Sequence, residues 1–181
     1  KLERDVMLTR EFDDDVEAYT SQPLSINYVL NEKEIRYTPD ILVQTIASDF
    51  YFIEVKSFYA FQLEKNRQKF AYLQSHFREK YQRELKLISC RDIYIDAQIT
   101  NLDSLYRFKK FSVSKEAEEL FSELPNVINS MAYQQLCRDK NTHRFNNFMT
   151  LVAHNFFKFD ATQPFDSQQS LFKKMETLCN Y

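Results

Sequence analysis

The chain has 181 residues, enough for one ordinary domain or a domain with a small appendage, and 44% of them are hydrophobic. It contains no glycine, which excludes glycine-dependent phosphate loops and leaves every turn to Asn, Asp, Ser or Pro. The net charge of −2 identifies no partner by itself, and without a run of roughly 18 apolar residues no membrane span is expected. Three widely separated cysteines (Cys90, Cys137, Cys179) predict reduced thiols in an intracellular protein and argue against a zinc site. The chain opens at Lys1, not Met, and shows no signal peptide, so residues upstream of it are expected.

Leu2, Val6, Leu8 and Phe12 lie near helical spacing and predict a short opening helix over 2–12, ended by the solvated turn Asp13-Asp14-Asp15. Three consecutive aspartates do not converge on one point, so this run is no metal site. The segment 24–30 alternates Leu24, Ile26, Tyr28 and Leu30 with polar residues and predicts a half-buried strand. After a turn at 31–33, two more strands are expected over 35–46 and 50–57. The period then becomes helical from Phe61 to Arg83, with Leu63, Phe70, Leu73, Phe77 and Tyr81 as a core seam.

A second stripe on that helix holds Lys65, Lys69, Tyr72, His76, Lys80 and Arg83 and flanks the seam. Its basic members either meet DNA phosphates or lay their stems along the core edge with the charges in water. Charge is uneven along the chain: residues 1–60 carry a net −6, residues 61–91 a net +5 and residues 92–181 a net −1. An acidic third before a basic helix suits a metal site beside a phosphate-facing surface, although ordinary surface variation also produces it. Residues 85–89 predict a strand and 101–108 a helix. Strand signals then stop, and helices are expected over 114–124, 126–138, 143–158 and 167–179. Ser114 followed by Glu116 and Glu118 is a good helix start. The histidines His76, His143 and His154 pair with no Cys or acid at ligand spacing and receive no catalytic role.

The segment Arg36–Ser57, RYTPDILVQTIASDFYFIEVKS, sets Asp40, Glu54 and Lys56 among strongly strand-forming residues. Buried charges are costly unless paired or bound to metal. Strand alternation puts Tyr51, Ile53 and Val55 on one face and Glu54 with Lys56 on the other. With a three-residue loop at Ala47–Asp49, residue 42 lies opposite 54 and residue 40 opposite 56, so Asp40, Glu54 and Lys56 converge. A two-residue loop scatters them, so an odd-length loop or a bulge is required. Two adjacent carboxylates suit Mg²⁺, which takes one or two of them with waters and phosphate oxygens. A cross-strand Asp–Lys pair in an ordinary hairpin is the alternative.

RYTPD, the EVK of the next strand and the helix that follows resemble the PD-(D/E)xK nuclease superfamily. The wider order is more specific: Glu3-Arg4 on an opening helix, Gln22-Pro23, RYTPD, EVK, Asn66 with Lys69-Phe70, then Asn101-Leu102 with Leu105-Tyr106. This resembles TnsA, the endonuclease subunits of heteromeric transposases, over roughly residues 1–110. The resemblance implies an α/β fold with a restriction-endonuclease-like mixed sheet flanked by helices, followed over 111–181 by a small all-helical C-terminal domain for partner or DNA contact. It implies that Asp40 and Glu54 bind Mg²⁺, with Mn²⁺ able to substitute, that Val55 adds its carbonyl, that Lys56 is the catalytic lysine and that Glu3 reaches the same site. Gln22-Pro23 is expected to shape the adjoining strand. Lys65, Lys69, His76, Lys80 and Arg83 become the expected DNA-binding set.

The implied activity is cleavage of the 5′ strands at transposon ends, with a TnsB-like transposase and a TnsC-like ATPase regulator as partners, in the bacterial cytoplasm. Two other readings remain open. A stand-alone restriction or repair nuclease of the same superfamily would cut without partners. A non-catalytic DNA-binding or assembly module on the same fold would bind no Mg²⁺ or Mn²⁺ near Asp40 and Glu54.

Overall fold

A computed structural model describes residues 1–181 except 31, 139–142, 166–168 and 175–181. The chain divides into two compact units, 1–94 and 95–181.

The first unit opens with helix α1 (Leu2–Glu11), which ends at the Asp13 turn where Arg10 pairs with Asp13 at 2.9 Å. Its main sheet has the order β1 (Val16–Ser21), β4 (Ile41–Thr45), β5 (Phe50–Val55), β6 (Glu84–Ile88). The β1–β4 and β4–β5 pairs are antiparallel, whereas β5–β6 is parallel. A parallel pair needs a crossover connection, and helices α2 (Phe58–Gln62) and α3 (Glu64–Tyr81) supply it. Helix α1 packs against β1 and β5 and against the short helix α4 (Cys90–Ile93), while α3 packs on β6. This is the mixed, helix-flanked sheet expected of a restriction-endonuclease-like fold.

A separate hairpin of β2 (Ile26–Leu30) and β3 (Lys33–Tyr37) completes the unit. The strand expected over 35–46 is therefore two strands in two sheets. Pro39 is the physical reason: it has no N–H to donate and holds Thr38 out of regular pairing. Strand β1 lacks a clear alternation and was not expected; its pairing with β4 creates it. Ile26, Tyr28, Tyr37, Phe52, Phe70, Leu73, Phe77 and Leu85 form one buried cluster joining the hairpin, α3 and one face of the sheet. Within the expected seam of α3, Phe70, Leu73 and Phe77 are buried, while Leu63 and Tyr81 at its ends are 53% and 36% exposed.

The second unit contains α5 (Gln98–Lys109), α6 (Lys115–Glu123), α7 (Ser130–Arg138) and α8 (His143–Ala153). Helices α5 and α6 both pack on α8, and α5 lies within the 95–181 unit. Ser114 caps α6 as expected, its Oγ accepting from the Ala117 N–H at 3.2 Å. Asn101 is buried and donates its Nδ2 to the carbonyls of Ala161 and Gln163 at 2.8 and 2.7 Å, a structural clamp.

This C-terminal part is helical but also carries a small sheet of β7 (Val127–Ile128), β9 (Leu171–Lys173) and β8 (Phe157–Lys158), in that order. Two expected helices are shortened by it. Asn155, at φ 61°, stops the one expected over 143–158, as Asn in the left-handed region commonly does. The one expected over 126–138 begins only at Ser130. The helix expected over 167–179 is corrected where it is described: Leu171–Lys173 is a strand, with Leu171 buried and Phe172 exposed as alternation requires. Long-range pairing overrides local spacing in so short a segment. Residues 167, 168 and 175–179 of that expectation, Cys179 among them, lie outside the described residues.

Candidate active site

The position of Asp40 depends on the β4–β5 turn. The Thr45 N–H donates to the Asp49 carbonyl at 2.9 Å and closes a three-residue loop, Ile46–Ser48. Ser48 takes the left-handed conformation, φ 59°, that such loops require at their last position. The loop is odd in length, as convergence demanded, but begins one residue earlier than expected. That moves the register by two residues: Leu42 faces Phe52 and Ile41 faces Ile53. The pairing ends at Ile41 and Ile53, and Asp40, just outside it, bonds the Ile53 carbonyl through its N–H and does not pair with Lys56. Both carboxylates still meet at Lys56 Nζ, which lies 3.6 Å from Asp40 Oδ2 and 2.8 Å from Glu54 Oε1.

Three hydrogen bonds fix Asp40 at the end of β4. Its N–H donates to the Ile53 carbonyl at 3.0 Å, its carbonyl accepts the Gln22 N–H at 2.8 Å, and its Oδ2 accepts the Val55 N–H at 2.7 Å. The expected shaping role of Gln22-Pro23 is thus a backbone one, with Gln22 itself at φ 46°.

Glu54 lies on the inner, α3-facing side of β5 with Phe52 and is only 3% exposed. A bare carboxylate there would be strongly destabilising. Both its oxygens are engaged: Oε2 accepts the Tyr37 hydroxyl at 2.7 Å and Oε1 lies 2.8 Å from Lys56 Nζ. Lys56 follows the strand, its N–H continuing the parallel ladder to the Ile88 carbonyl at 3.2 Å. Its ammonium also lies 3.1 Å from the Val55 carbonyl and 3.6 Å from Asp40 Oδ2.

Three oxygens from three groups thus surround one positive nitrogen. The donor set (two carboxylates and a backbone carbonyl, no sulfur or imidazole) suits a hard divalent cation that retains several waters. No three or more His, Cys, Asp or Glu side chains among the described residues are grouped so that they could hold a metal ion, so water and phosphate oxygens would complete the coordination. Glu3 is exposed on α1, and its charge still reaches Lys56. Burial pulls the Lys56 ammonium toward deprotonation, but the Glu54 hydrogen bond and the charges of Glu54, Asp40 and Glu3 together outweigh it and raise its pKa. Lys56 here is a charged donor and not a base.

Two residues of this region carried no role in the sequence. Tyr37 is 5% exposed, and burial with the neighbouring Glu54 charge pushes its phenol pKa far up, so it stays a hydrogen-bond donor. Its only sequence signal is its place in RYTPD; alternation cannot link it to Glu54, because the two stand in different sheets. Asp5 is fully buried on α1 and accepts hydrogen bonds from the Tyr94 hydroxyl and from Arg4 Nη1. Nothing in the helical spacing marks it.

On α3, Lys65 and Lys80 are exposed and Lys69 is half-buried, whereas Arg83, expected on the same helix, follows its left-handed Gln82 cap and lies half-buried outside it. Lys69 Nζ lies 5.3 Å from the Tyr37 ring centre, and Arg83 pairs with Asp49 at 3.4 Å. His76 is drawn out of the stripe: it stacks on Tyr72 and abuts Tyr28 and Tyr81, with Nε2 sealed from solvent. Asn66 joins α2 to α3 by donating to the Ala60 carbonyl at 2.7 Å.

Residues 13–89 match the family model described as TnsA-like endonuclease N terminal. This segment is a TnsA-like endonuclease domain. It holds Asp40, Glu54, Val55 and Lys56 and the whole main sheet, while Glu3 and α1 precede the match. No curated protein matches the chain. No helix among the described residues is long and apolar enough to cross a membrane.

Proposed function

We propose that the chain is a metal-dependent DNA endonuclease subunit of a heteromeric transposase, cleaving the 5′ strands at transposon ends. The observation that carries this reading is the gathering of Asp40, Glu54 and Val55 oxygens around Lys56 inside the TnsA-like segment. Asp40 Oδ2, Glu54 Oε1 and the Val55 carbonyl would hold Mg²⁺ or Mn²⁺, which when bound activates water and offsets charge on the scissile phosphate. Lys56, as an ammonium, orients the attacking water or a phosphate oxygen by donation. Glu3 adds negative charge at the mouth of the site. Lys65, Lys69, Lys80 and Arg83 serve DNA phosphates; His76 serves the core of the hairpin–helix contact.

The reading also assigns a TnsB-like transposase and a TnsC-like ATPase as partners, with the 95–181 unit as a contact surface, and a bacterial cytoplasmic location. The test is cleavage of DNA bearing transposon ends, with Mg²⁺ and both partners present. Nicks at the 5′ ends are expected from the wild type and none from Asp40→Asn. Undiminished cutting by Asp40→Asn, or full cutting in a chelator, overturns the assignment. Efficient cutting of plain duplex without partners identifies a stand-alone nuclease instead.

A further inference from the structure

Glu54 has two oxygens, and only one of them faces the other site groups. Oε1 is 2.8 Å from Lys56 Nζ; Oε2 turns inward to the Tyr37 hydroxyl at 2.7 Å. Tyr37 is held in turn by its surroundings. It pairs with Ile26 at the end of β3, sets its ring edge-on to Phe77 with centroids 6.1 Å apart, and is 5% exposed. Phe77 also packs edge-on to Phe52, the neighbour of Glu54 on the same face of β5, at 4.9 Å. The phenol and the carboxylate therefore rest on one aromatic wall. Tyr37 also lies three residues before Asp40, so Thr38 and Pro39 connect the group that orients one carboxylate to the other carboxylate.

We propose that Tyr37 is a positioning residue of the metal site: its hydroxyl holds Glu54 Oε2 and thereby presents Oε1 alone to the cation shared with Asp40 and Val55. This rests on the metal-site reading above. A carboxylate free to rotate about its last bond would lose part of its binding free energy in being ordered. A donor fixed in a packed wall removes that cost in advance, which is how outer hydrogen bonds tune metal ligands. Tyr37→Phe deletes the hydroxyl and leaves the ring against Phe77.

The test is calorimetric Mn²⁺ titration of the full chain without DNA, comparing wild type, Tyr37→Phe, Glu54→Ala and the double variant, with circular dichroism as the check on folding. Mn²⁺ affinity is expected to fall about tenfold or more in Tyr37→Phe. In the Glu54→Ala background the same change is expected to cost nothing further, because the group it positions is gone. Wild-type affinity in Tyr37→Phe overturns the proposal. So does an equal loss in both backgrounds, which would mark Tyr37 as a general support of the fold, and so does a Tyr37→Phe chain that does not fold. A wild-type chain that binds no Mn²⁺ fails differently: it removes the metal site itself, and the role of Tyr37 with it.

Discussion

Lys56 Nζ lies 2.8 Å from Glu54 Oε1, in the place a cation shared by Glu54, Asp40 and Val55 would occupy. On the proposed metal-site reading, the ammonium and a divalent ion would compete for the same oxygens, and Lys56 would have to swing aside for the ion to bind. Its 40% exposed side chain leaves it free to do so.

Lys56→Met is accordingly expected to tighten Mn²⁺ binding while abolishing cleavage. Removing one positive charge from a partly buried site at this range changes the affinity by about tenfold or more. Calorimetric titration and a cleavage assay on the same preparation read both effects. Weaker Mn²⁺ binding in the variant would mean that Lys56 supports the site and does not compete with the ion.

Asp40 has a structural duty besides its charge, since its Oδ2 accepts the Val55 N–H at 2.7 Å. Asp40→Ala leaves that N–H unpaired and is expected to cost about 1–3 kcal/mol of stability in addition to activity. Asp40→Asn keeps an acceptor oxygen and should retain the stability while still losing cleavage. Denaturant unfolding of the two variants separates the roles; equal stability would remove the hydrogen bond from the account.

The three-residue loop Ile46–Ser48 sets which face Asp40 takes. Deleting Ala47 leaves a two-residue loop, reverses the parity of the hairpin and is expected to abolish Mn²⁺ binding. Ser48→Gly, by contrast, suits the φ of 59° and should raise stability by about 0.5–1 kcal/mol, the cost of a left-handed non-glycine residue less the entropy of glycine. A thermal melt beside the Mn²⁺ titration checks both, and a deletion variant that binds normally would contradict the register argument.

Asp5 is fully buried beneath Tyr94, whose phenol is pushed up to about 12, first by its hydrogen bond to Asp5, then by burial and by the charge of Asp5. A raised acid of this kind stabilises the fold fully below the ordinary tyrosine value. The contribution fades as pH rises from about 10 toward about 12. Tyr94→Phe is expected to weaken the fold at neutral pH and to flatten the alkaline limb of its stability curve. An unchanged limb in the variant would assign that limb to other groups.

Within the expected basic set, Lys65 and Lys80 face water, whereas His76 packs among aromatic rings. Lys65→Ala and Lys80→Ala are each expected to weaken DNA binding and to lower the slope of log affinity against log salt by about one. His76→Ala should leave that slope unchanged and lower stability instead, since the ring is packed among Tyr28, Tyr72 and Tyr81. Salt-dependent binding curves distinguish them.

The gathering of Asp40, Glu54 and Lys56 was legible in the sequence because it depends on local rules. Alternation in a strand fixes that Glu54 turns away from Tyr51, Ile53 and Val55, whatever packs around it. The parity of a hairpin loop fixes that Asp40 joins Glu54 only if the count is odd, and that held although the loop begins one residue early. The α3 seam followed from its 3.6-residue period in the same way. These are properties of backbone geometry within one or two adjacent elements.

What tertiary structure alone decided involves groups far apart in the chain. Strand β1 forms because β4 offers it an edge. Leu171–Lys173 becomes a strand because β7 and β8 lie on either side of it. Tyr37 reaches Glu54 because Pro39 ends one sheet and starts the chain into another, and α3 presses the two together. No periodicity carries that information, since a hydrogen bond between residues 17 apart in different sheets depends on how the layers stack. The sequence by itself determined which charges share a face; packing of the β2–β3 hairpin and α3 over that face decided that Glu54 is buried and held at both oxygens.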